Sequence, residues 1–152
     1  MNEIILFAHP TFGVLGILGA VWIFVETLNA SEANASRIRA AAWAVAIFIA
    51  LSWVLGGYWY VHFYAPDKAL ILRGPWPWAH SLVMEVKEHV FFIPLLLALY
   101  LPIAARDKLL SRGAARAMVL SVAALIVLSG LAVEGAGAVI SYAVKAALIQ
   151  GA

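Results

Sequence analysis

Cysteine is absent from this chain of 152 residues, which excludes disulfides, thiolate metal sites and cysteine-bound iron–sulfur clusters. Charge is scarce as well. Asp, Glu, Lys and Arg together make up 12% of the residues, half of the roughly 25% usual in soluble domains. That scarcity excludes disorder, which needs polar, charged composition. The net charge of +2 is too small to attract nucleic acid. No G-x-S-x-G turn occurs, so nothing points to a serine nucleophile on a strand-to-helix elbow. What fills the space is apolar: 65% of the residues are hydrophobic, against about 45–50% in an ordinary soluble domain. One small core cannot bury that much apolar surface. The composition predicts an integral membrane protein, with the lipid bilayer as its first partner.

Four apolar stretches are each long enough to cross a bilayer as a helix, which takes about 20 residues. They run over about 4–28, 38–64, 78–104 and 115–148. Transmembrane strands would be about 10 residues long with alternating polarity, and nothing here alternates. The first stretch lacks a basic leading region and a small-x-small cleavage site, and is longer than a signal core; it is expected to remain as the first span. The connections are short. Asn29–Ser36 is polar, and Ser36 is placed to cap the second helix. Ala65–Pro77 is punctuated by Pro66, Gly74, Pro75 and Pro77, all helix-stopping residues. Arg106–Gly113 is a basic turn. With no repeat and no second domain, residues 1–152 are expected to form one all-α unit, an up-down-up-down bundle of four transmembrane helices.

Orientation follows from the basic residues beside the spans. One end carries Arg37, Arg39, Arg106, Lys108, Arg112 and Arg116, and the other carries Lys68, Arg73 and Lys145. The asymmetry puts both termini on the extracytoplasmic side of a bacterial inner membrane. Tyr58, Trp59, Tyr60, Tyr64, Trp76 and Trp78 then form the outer aromatic belt.

Ionisable residues inside spans are costly and face a bundle interior or a site. His9, His62, His80 and His89 all fall in the outer half, joined by Glu85, Glu88 and Glu134. At 1.5 Å per residue, Glu85 and His89 lie about 10 to 15 Å below the surface. Being four apart, they share one helical face, with Glu88 beside them. Lys87 points elsewhere, toward a carboxylate of a neighbouring helix or a polar channel. Glu26 is near the inner end of the first span and reaches the interface. Two stripes of small residues each carry one ionisable group: His9, Gly13, Gly16 and Ala20 on the first span, and Gly130, Glu134, Gly137 and Ser141 on the fourth. Such stripes allow close helix packing or seat a flat cofactor.

Two cofactor classes suit this set. A b-type haem takes two neutral imidazoles across a slot lined by small residues. A non-haem iron or copper centre mixes His and Glu from several helices, here His9, His62, Glu85, His89 and Glu134. His80 with Met84 would serve copper. The Glu-x-x-His pair of di-iron bundles does not occur in the third or fourth span. With His9-Pro10 in the first span and His89 inside the third, the layout resembles small bacterial four-helix membrane cytochromes of b type. That resemblance implies haem b, electron transfer on the outer side and histidine ligation. The charged cluster Glu85, Lys87 and Glu88 suits proton handling coupled to quinol oxidation, with quinone as the partner, or direct metal ligation. A cofactor-free subunit of a larger respiratory complex is the alternative, in which the polar cluster pairs with a neighbouring subunit or another copy of the chain.

Overall fold

The computed structural model describes residues 2–106, 109 and 111–151. It is helical throughout, with no strand among the described residues: α1 (Asn2–Leu28), α2 (Glu32–Arg73), a π-helical turn (Ala79–Met84), α3 (Glu85–Val90), α4 (Phe92–Ala104) and α5 (Gly113–Ile149). Three of these, over Glu3–Leu28, Glu32–Arg73 and Gly113–Ile149, are long and apolar enough to cross a membrane. Lys108, in the basic third connection, lies outside the described residues.

Several boundaries differ from the sequence expectation, each for a local reason. The first connection shrinks to a tight turn, and α2 starts at Glu32, capped at Ser31 rather than Ser36. Asn34 decides this. Its Oδ1 accepts the Ser31 N–H at 2.8 Å, and its Nδ2 donates to the carbonyls of Glu26 (3.1 Å) and Asn29 (3.3 Å). One side chain thereby ties the end of α1 to the start of α2. Arg37 adds an ion pair to Glu26 at 3.2 Å, worth little at an exposed position.

At its other end α2 does not stop before Pro66 but runs through it to Arg73. Proline removes one helical N–H and crowds the preceding turn. Packing compensates, because Tyr64 and Ile71 on either side of Pro66 are buried against Ala79, Met84, Ile140 and Ala143. At 1.5 Å per residue α2 is about 63 Å long, roughly twice the hydrocarbon thickness of a bilayer. The stretch expected as one span over 78–104 is built in three pieces. Trp78, Glu85 and Phe91 keep right-handed helical dihedrals, so the chain never leaves helical space. The ladder is interrupted where Pro94 has no N–H for the Val90 carbonyl.

α1 runs antiparallel to both α2 and α5, as their contacts show. Going up α1, Gly13, Gly16 and Gly19 face Ser52, Ile49 and Val45 of α2 in descending order. Gly13 and Ile17 meet Glu134 and Gly130 of α5, again in opposite order. Added side chains at Gly16 and Gly130 would land 2.5 Å from Ile49 Cδ1 and 2.7 Å from Ile17 Cγ1. The small-residue stripes therefore let backbones approach.

Two apolar cores result. One, at the end holding the α1–α2 turn, gathers Ile23, Ile38, Val45, Leu101, Val119 and Ile126. The other gathers Tyr64, Ile71, Met84 and Ile140. The outward faces are apolar too. Phe7, Val61, Leu96 and Leu128 are 64–77% exposed, part of a wide apolar surface of the kind that meets lipid or another protein.

Candidate functional site

Between the two cores the helices separate around a cavity of about 750 Å³, within the size range of small-molecule sites. α1 lines it with Leu6, His9 and Pro10. α2 contributes Trp53, Gly56, Trp59, Tyr60 and Asp67. Lys87 and Glu88 enter from α3, Phe91 and Phe92 follow, and α5 supplies Glu134, Gly137 and Ser141. The wall is mostly aromatic and aliphatic, with a few polar groups converging on it. Pro10 lies two turns inside α1, where it cannot donate to the Leu6 carbonyl.

Three of the converging polar side chains occupy space left by a glycine of another helix. A side chain on Gly13 would collide with the Glu134 carboxylate and come within 3.3 Å of Ser52 Oγ. On Gly137 it would come 3.1 Å from Lys87 Nζ, and on Gly56 it would sit 2.6 Å from the His9 ring. His9, Lys87 and Glu134 are thus seated in three notches around one space. The Lys87 ammonium lies within electrostatic reach of both Glu134 and His9. Lys87 and Glu134 form no ion pair; the two side chains enter one cavity from α3 and α5.

His9 is oriented by a reciprocal clamp with α2. Its Nδ1 lies 2.8 Å from the Ser52 carbonyl, and Ser52 Oγ donates to the His9 carbonyl at 3.0 Å. A carbonyl can only accept, so Nδ1 carries the hydrogen and Nε2 keeps its lone pair. This is the arrangement by which a backbone carbonyl orients a ligating or proton-accepting imidazole. Glu88 faces the Tyr60 hydroxyl, and its Oε1 is buried with no hydrogen-bond partner among the described residues.

The other expected site residues are dispersed. Glu85 and His89 share a face, and that face points outward: both are exposed, with His89 Nδ1 bonded to the Glu85 carbonyl at 2.7 Å. His62 is also exposed, stacked on Tyr58 at 4.2 Å between ring centres and bonded to its carbonyl. His80 is 5% exposed and bonded through Nδ1 to the Tyr64 hydroxyl at 3.1 Å. Met84 is buried in the second core. Of the four histidines, His9 alone lines the cavity. Among the described residues, no three His, Asp or Glu stand together at metal-binding spacing. Of the four glycines, Gly16 and Gly130 serve packing, Gly137 lines the cavity and Gly13 seats Glu134.

Ser52 and Gly56 were not anticipated from sequence. Ser52 is the single hydroxyl in the apolar run from Ala40 to Gly57, and Gly56 follows it at one helical turn; that pairing was the available signal. Compared with known protein families, curated proteins and solved structures, the chain shows no significant match.

Proposed function

We propose that the chain is an integral membrane protein serving electron transfer, a bundle of four alternating spans whose cavity binds a lipid-soluble carrier of the quinone class. The π-helical turn, α3 and α4 form the third span, and both termini lie on the extracytoplasmic side of a bacterial inner membrane. One observation carries the ligand reading: Lys87 and Glu134 both line one aromatic-walled cavity without forming an ion pair. A group suited to that cavity presents an acceptor to the ammonium and a donor to the carboxylate. A hydroquinone has both, as ring oxygens and O–H groups, and its ring and tail match the Trp53, Trp59, Phe91 and Phe92 walls.

Trp53 and Trp59 make the reading measurable. A short-chain benzoquinone added to the detergent-solubilised protein should quench tryptophan fluorescence saturably, and Trp53→Phe/Trp59→Phe should remove the saturable part. Quenching that rises linearly and is the same in the double variant would exclude the cavity as the site.

A second reading rests on the His9 clamp. Its free Nε2 is the atom a b-type haem would take as an axial ligand. Haem binding predicts a sharp reduced α-band near 560 nm in protein purified from membranes, and its loss in His9→Ala. The orientation rests on the excess of Arg and Lys at the α1–α2 end. A reporter fused after residue 152 should be active in its extracytoplasmic form, and an active cytoplasmic reporter there would invert the topology.

A further inference from the structure

The third helical segment carries one outward stripe: Leu82, Val86, Ile93 and Leu96 are 50–64% exposed, and Glu85 and His89 are exposed among them. The apolar members suit lipid. The other two do not, because an ionisable side chain facing hydrocarbon is costly and is normally covered by a polar partner. The Glu85 carboxylate has no hydrogen-bond or ion-pair partner among the described residues, and His89 uses only Nδ1, on the Glu85 carbonyl 2.7 Å away. That bond leaves Nε2 with no hydrogen-bond partner among the described residues and a lone pair to share.

We propose that this stripe is a self-association face, where the Glu85 carboxyl of one copy and the His89 Nε2 of a second copy hold one proton between them, twice over. The inference rests on the membrane reading above and is independent of the cavity's ligand. With both copies inserted the same way, the twofold axis runs along the membrane normal, so the Glu85 carboxyl of each copy reaches one helical turn along the other to meet its His89, and a single operator makes both contacts. A different partner would need its own matching base and acid at the same spacing. A second copy has them by construction. Around the pair, Leu82, Val86, Ile93 and Leu96 supply apolar contact.

The absence of native cysteine makes the test clean. Val86→Cys lies on the stripe, and Leu128→Cys, 66% exposed on α5, is a control on another helix. Membranes bearing each variant are oxidised with copper phenanthroline and examined for a covalent dimer. Val86→Cys should crosslink and Leu128→Cys should not. Adding Glu85→Leu should lower the dimerisation constant of the Val86→Cys protein about tenfold or more, on the scale of two interhelical hydrogen bonds in a membrane. Glu85→Gln, which can donate to Nε2, should restore most of it. Equal crosslinking at both positions, or a Val86→Cys thiol that reacts with maleimide yet gives only monomer, overturns the proposal. So does a crosslinked band whose mass is not twice the monomer, which would give the face to another subunit. Undiminished crosslinking in Glu85→Leu removes the acid–base pair as its cause. Carbonate extraction of the same membranes tests the premise separately, because protein released by carbonate was never embedded.

Discussion

Lys87→Met should weaken benzoquinone or hydroquinone binding about 10- to 100-fold. A hydrogen bond to a charged group is worth about 1.5–3 kcal/mol, and about 1.4 kcal/mol is a factor of ten in affinity. Methionine keeps most of the side-chain length, so the Gly137 notch stays filled and the cavity wall intact. The variant also strips Glu134 of its nearby cation. Removing one member of a fully buried pair costs about 3–5 kcal/mol; here the two groups are not in contact and Glu134 borders a cavity, so the loss of stability should be smaller. Glu134→Gln in the Lys87→Met background should recover that stability without recovering affinity. Fluorescence titration and thermal unfolding of the four proteins separate the two effects in one double-mutant cycle. Unchanged affinity in Lys87→Met, with quenching still saturable, would take the ammonium out of the site.

Gly13 and Gly16 lie three residues apart on α1 and should respond oppositely to substitution. A side chain on Gly16 meets Ile49 in the α1–α2 interface, at 2.5 Å from Cδ1 and 2.8 Å from Cγ1. Ile49 is packed in the first core and has nowhere to turn. Gly16→Leu should therefore destabilise the protein by about 3 kcal/mol or more, the upper range for overpacking, and lower the folded yield. A methyl on Gly13 meets the Glu134 carboxylate, the movable end of a flexible side chain beside open space. Gly13→Ala should cost under about 1 kcal/mol in stability, since a cavity-side carboxylate can rotate away without overpacking, yet change ligand affinity by moving it. A Gly13→Ala protein with native stability and native affinity would mean that Glu134 does not contact the ligand. Equal destabilisation by the two substitutions would mean that the Gly13 notch serves packing alone.

Both expectations come from a site that was only half legible beforehand. Apolar composition, together with long stretches that do not alternate in polarity, pointed to the all-helical class and the apolar exterior. With 65% hydrophobic residues and few charges, the chain offers its backbone few polar side chains as partners, and helices satisfy backbone groups within one segment. Glycine and histidine spacings marked His9, Gly13, Glu134 and Gly137 as sharing stripes, because a 3.6-residue period converts spacing directly into a common face. Prolines were read less well. Pro66 and Pro94 carry the same local cost, but α2 runs through one and the helical ladder breaks near the other. Around Pro66 the helix is held by the core that Tyr64 and Ile71 share with Ile140 and Ala143, residues more than 60 positions away.

Tertiary structure alone decided which charges face in. Glu85, Lys87, Glu88 and His89 succeed one another at about 100° per residue, so they surround most of the helix and cannot all point at one interior. The spacing sets their angles relative to each other and leaves the rotation of the helix free. That rotation is set by packing: Met84 and Ala79 are buried against Ile140 and Ala143, and Gly137 leaves room for Lys87. With those contacts made, Lys87 and Glu88 turn to the cavity, and Glu85 and His89 turn to the outside.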